Sequence, residues 1–157
     1  MAEALCPWNA IEALEARCCD PTFPVCWRAF VLACGEVVLP GLPAEAHGWV
    51  DAAAAFDRGE RSAAELAALN SAAWSFHRGR AESDPWPVQC GLLVVMTGLG
   101  VGFDACRWHE GAWHFLNCCG AAGVSDEALA GLLRQHFGPL LPGSPDAEPG
   151  AAADGGG

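Results

Sequence analysis

The chain has 157 residues and a formal net charge of −11, from 19 acidic residues against 8 arginines, with neither lysine nor tyrosine. Its length fits one domain, able to bury roughly two-thirds of the surface of its unfolded chain. So acidic a surface is repelled by phosphate backbones and no basic stripe offsets it, which disfavours nucleic acid as a partner and favours a basic protein.

Pro7 to Cys19 reads as a first helix, with Asn9 placed to cap it and Ile11, Leu14 and Cys18 on one face. Asp20-Pro21 ends it, because the residue before a proline is pushed out of the α region. Pro24 then opens a second helix over Val25 to Leu39, whose only charges are Arg28 and Glu36. Trp27, Phe30, Val31, Cys34, Val37 and Val38 cover most of its circumference, the pattern of a central helix packed on several sides. Pro40-Gly41-Leu42-Pro43 breaks it.

A third helix is predicted from Ala44 to Asp57, with Trp49, Ala53 and Phe56 on one stripe and Glu45, Asp51 and Asp57 outside it. Gly59 is placed to terminate it. Ser62 and Glu65 then form a capping box that opens a helix with Leu66, Leu69, Ala73 and Phe76 along one face. The two helices are expected to make an αα-hairpin over residues 44–77.

Residues 79–87 read as a loop around Trp86. The apolar run 88–103 is broken by glycines and a threonine and falls short of the roughly 20 apolar residues of a membrane span, so it reads as buried core, with no membrane partner. Val94 and Val95 tilt its centre toward strand, although a short apolar run cannot be assigned by period alone. If Glu110-Gly111 is a two-residue turn, Trp108 faces Trp113 and Cys106 faces Phe115 in a small β-hairpin near residues 103–118. The alternative is a helix kinked at Gly111. Ser125 caps the last helix, which carries Leu129, Leu132, Leu133 and His136 on one face and stops at Gly138-Pro139. Residues 143–157 hold no large apolar side chain and are expected to be disordered. The expected class is therefore mainly α: one globular domain over residues 1–142 with a small β element.

Nine cysteines and seven tryptophans need a role. An odd number of cysteines at irregular spacing, behind an N-terminus with no basic or long apolar leader, predicts reduced thiols and a cytoplasmic location. Cys106, His109, His114 and Cys118 are the best candidate metal ligands, two sulfurs and two imidazoles suited to zinc. Their spacing matches no zinc finger, and the reading that weighs more is two core thiols and two partly exposed histidines, with no cofactor. The vicinal pairs Cys18-Cys19 and Cys118-Cys119 could join internally only through a distorted peptide, so packing outweighs redox chemistry. Cys118 with His114, one helical turn apart, is the local pair from which a thiol nucleophile and its base could be built. No orienting acid or oxyanion hole accompanies it, and the glycines at 98, 100 and 102 match no nucleotide-binding loop. An enzyme is the less favoured reading.

Trp27, Trp49 and Trp74 fall in predicted helices and read as core. Trp8 and Trp86 lie beside prolines at element edges, where an indole rimmed by charge can anchor a partner. Three segments, WRAFVLACGEVV from residue 27, WVDAAAAFDRGERSAAELAALNSAAW from 49 and LAGLLRQHFGPLLPG from 129, resemble a group of alanine- and cysteine-rich helical proteins of planctomycete-type, GC-rich bacteria. The resemblance spans residues 24–77 and 129–142 and implies a helical fold. That group has no known activity, so no site residues follow from it. The function expected is that of a small acidic accessory, adaptor or inhibitory subunit, binding a protein partner through Trp8, Trp86, Glu45, Asp51 and Asp57. A Cys/His metal or thiol-redox protein and a thiol-dependent enzyme stand as alternatives.

Overall fold

A computed structural model describes residues 5–142, and the expectation of a disordered tail over 143–157 lies outside the described residues. Among the described residues the chain is helical and contains no strand. Its helices are α1 (Pro7–Glu15), α2 (Phe23–Val38), α3 (Ala44–Asp57), α4 (Ala63–Arg80), α5 (Trp86–Thr97), α6 (Trp108–Ala121) and α7 (Asp126–Phe137), with single 3-10 turns at Leu39–Gly41 and Gly138–Leu140.

Local chemistry sets most of the boundaries. Pro7, Pro24 and Pro87 each sit in the first turn of a helix, where the missing N–H costs nothing. Asn9 does not cap α1, which starts at Pro7 and runs out after Glu15 into 3-10-type turns. Asp20 instead holds the next turn, its Oδ1 accepting from the Thr22 N–H at 2.9 Å and hydroxyl at 2.6 Å. The Ser62–Glu65 capping box is present in both directions, and Ser125 Oγ accepts from the Ala128 N–H at 3.2 Å. Gly59 (φ +75°) and Gly123 (φ +95°) end α3 and α6 in Schellman motifs. The Glu60 N–H reaches Ala55 O, and the Val124 N–H reaches Cys119 O.

The β-hairpin expected near 103–118 does not form. Residues 108–121 are one helix, and Trp108, Ala112, Phe115, Leu116, Cys118 and Cys119 are its buried positions, recurring at three- and four-residue intervals rather than alternating. Gly111 lies on the exposed side, where it is tolerated. Residues 92–97, tilted toward strand by their valines, belong to α5. This helix buries Cys90, Gly91, Leu92, Val94, Val95 and Met96 almost all round, so no amphipathic period survives to identify it.

α2 is the hub. It packs on α3, α5 and α7, while α6 lies on α5 and α1, and α4 pairs with α3. By length and apolar composition Phe23–Gly41 could also cross a membrane; only a third of it is buried here, and Val37, expected to pack, is exposed together with Val25. Aromatic rings fill the space around its N-terminal half. Phe23 touches Phe103, Trp108 and Phe137, and Phe30 touches Trp27, Phe115 and Phe137, all with ring centroids 4.8–6.0 Å apart.

Glycines let the helices approach. A Cβ at Gly91 would stand 2.7 Å from Leu42 Cδ2, whereas at Gly35 it would meet Val50 and Val95 side chains at 3.9 Å, ordinary contact. Gly35→Ala is therefore expected to stabilise the fold by about 0.5–1 kcal/mol, the helix-propensity difference, read as a higher urea midpoint.

Candidate functional site

An aromatic cleft opens beside α2, in two lobes. The larger, about 620 Å3, is lined by Trp27 and Arg28 of α2, Phe56 of α3, Asn70 and Trp74 of α4, Met96 of α5 and the segment Gly100–Phe103. The smaller, about 340 Å3, continues along α6 past Asp104, Arg107, Trp108, Phe115 and Cys118. Both lobes share Trp27, Leu93, Thr97, Gly102, Phe103 and His114, so they form one trench. Its size and its mostly apolar lining with a few polar groups are those of a ligand site. Trp74 and Val101 line it while 41% and 45% exposed.

Arg28 holds the cleft's shape. Its Nε donates to Asp57 Oδ1, Nη1 donates to Gly100 O at 3.0 Å and Nη2 to Ala53 O at 3.4 Å, while its Cζ lies 5.1 Å from the Phe56 ring centroid. One guanidinium thus ties α2 to the end of α3 and to the segment after α5. The glycines around residue 100 serve this wall, with Gly102 at φ +102°, a conformation that other residues adopt only with strain.

The five residues singled out as interface candidates do not converge. Trp86 is 63% exposed at the start of α5, away from the cleft lining. Trp8 is half-buried, stacked on Trp113 of α6 with centroids 4.8 Å apart and planes 22° from parallel. Asp57 is engaged by Arg28, and Glu45 and Asp51 are exposed on α3. Trp74, read as core, is a cleft residue instead. Its stripe neighbours Leu66 and Ala73 are buried. A bulky aromatic one position off a helix's apolar stripe was the available signal.

The four candidate metal ligands separate. Cys106 is exposed ahead of α6, with its backbone N–H on Asp104 Oδ1 at 3.0 Å. His109 Nε2 accepts from Trp113 Nε1 at 2.6 Å and its Nδ1 lies 3.6 Å from Glu15, on the side of α6 that meets α1. Only His114 and Cys118 meet, with Nε2 to Sγ at 3.7 Å. Among the described residues no three His, Cys, Asp or Glu side chains converge as a metal ion needs.

That pair is also poorly poised as nucleophile and base. Burial first, then the neighbouring Cys90, pushes the Cys118 thiol up to about 12, so at neutral pH its sulfur keeps its proton. Cys119 faces Cys34 instead, and that hydrogen-bonded contact together with burial pushes its thiol upward too. The two neighbours on α6 therefore meet different helices. Alkylation of the folded protein with iodoacetamide is expected to label the exposed Cys6, Cys19 and Cys106 fast and to spare Cys34, Cys90, Cys118 and Cys119 until denaturant is added, as read by mass spectrometry.

No protein family, curated protein or solved structure matches the chain.

Proposed function

We propose that this chain is an acidic binding protein, an accessory, adaptor or inhibitory subunit that seats an apolar anchor of a basic protein partner in the cleft beside α2. The observation that carries this reading is a large aromatic trench whose lip includes exposed Trp74 and Val101. Tryptophan is among the residues that carry most of the binding energy of protein interfaces once a partner buries it. The charge of −11 adds steering of a basic partner, which governs association rate and choice of partner more than final affinity. Trp86, Glu45 and Asp51, exposed outside the cleft lining, would serve as outlying contacts for a partner larger than its anchor.

The test is selection from a library of capped pentapeptides, acetyl-Arg-X-X-X-Arg-amide, against the same library flanked by Glu. Enrichment of large apolar residues in the Arg-flanked set is expected, with affinities that fall as salt rises from about 0.05 M to about 0.5 M. Trp74→Ala and Val101→Asp should each weaken the retrieved peptides at least tenfold, the loss typical of an interface anchor. Retrieval of nothing, equal retrieval by both libraries, or indifference to both substitutions would refute the reading.

A further inference from the structure

We infer that the cleft reads a main-chain amide: its ligand is an extended peptide segment whose backbone hydrogen-bonds to Asn70. This rests on the protein-binding reading above and specifies what the cleft recognises.

Asn70 lies on α4 and lines the larger lobe, and its Oδ1 is buried with no hydrogen-bond partner. A buried acceptor left alone is costly and uncommon in a folded protein. Closed off where it stands, it becomes a group that a ligand in the cleft can satisfy once the amide turns. A side-chain amide carries a donor and an acceptor side by side, the same pair that a peptide unit presents. Rotation about χ2 exchanges the two, so either end can serve the chain that passes. A purely hydrocarbon ligand would leave the amide alone.

Charge and shape point the same way. A chain of net charge −11 draws in a peptide flanked by arginines, whose charged ends stay outside the lobes that Arg28 and Arg107 line. The lobes of about 620 and 340 Å3 meet at Trp27, Leu93 and Phe103. In an extended peptide, alternate side chains point to the same side about 6.6 Å apart. Residue i fills the larger lobe, where its own backbone meets Asn70, and residue i+2 fills the smaller.

The pentapeptides retrieved above supply the probe. Those that bind are expected to carry their apolar residues at the first and third randomised positions. Asn70→Leu, close in volume, should weaken them about tenfold, the worth of one hydrogen bond. N-methylation at one backbone position should reproduce that loss in the wild type and cost nothing further in Asn70→Leu. Two controls separate this from damage: Asn70→Leu should melt no lower than the wild type, and Nile red, a neutral dye without N–H groups, should bind both proteins within twofold. Peptides that bind Asn70→Leu within twofold of the wild type, or tolerate N-methylation everywhere, would overturn the backbone contact and leave the protein-binding reading standing. A library that yields no binder, or binders indifferent to Trp74→Ala and Val101→Asp, overturns both.

Discussion

Phe23→Ala is expected to destabilise the protein by about 3–5 kcal/mol, the loss found when a fully buried aromatic is truncated and its site cannot collapse. Phe23 is fully buried and its ring meets Phe103, Trp108 and Phe137, which come from the loop before α6, from α6 and from α7. A cavity there faces rings anchored on three separate segments, so no single helix shift can close it. Aromatic pairing of this kind adds roughly 0.5–1.5 kcal/mol per contact beyond area burial. Since a domain's whole stability is about 5–15 kcal/mol, the variant should be near unfolding at 37 °C. Urea denaturation checks it: the midpoint falls with the slope unchanged, and Phe23→Leu, which keeps most of the volume, loses less.

Arg28→Met has the second largest expected effect, a loss of about 1–3 kcal/mol. The substitution keeps an apolar stem against Phe56 but removes the donors to Asp57, Gly100 O and Ala53 O. The Arg28 and Asp57 side chains are only 22% and 32% exposed, so the pair is screened less than a surface ion pair, and a lone Asp57 is poorly compensated. Asp57→Asn alone should cost less. The double variant should cost less than the sum of the singles, because the charge that Arg28→Met strands is then gone. Local consequences should exceed global ones. Amide hydrogen exchange at residues 100–103 should quicken, because their tie to α2 is cut, and with it the wall of the cleft loosens. Exchange in that segment equal to the wild type would show that Arg28 does not hold it.

Helix ends and helix faces with a polar side were legible from neighbouring residues. The bounds of α3, the Ser62–Glu65 box and the Ser125 cap depend on groups within four residues of one another, and they stand where the chain's chemistry puts them. α5 and α6 were not legible as helices. α5 is buried nearly all round and keeps no period, and the tryptophans at 108 and 113 suit a hairpin as well as a helix until distant rings are present. In α6, Trp108 packs edge-on against Phe23 and Trp27, and Trp113 stacks on Trp8, contacts that a helix satisfies on two of its sides.

Composition and local sequence by themselves determined the mainly helical class, the acidic surface and most helix termini, because these follow from charge counts, propensities and hydrogen bonds within a turn. Only the tertiary structure decided the cleft. Trp27 on α2, Met96 on α5 and Val101 in the segment after α5 lie far apart in the chain from Asn70 and Trp74, one turn apart on α4, and nothing local relates these groups. Packing of α2 against its neighbours brings them around one space, and the same packing turns His109 toward α1 and leaves His114 with Cys118, dividing the four candidate ligands.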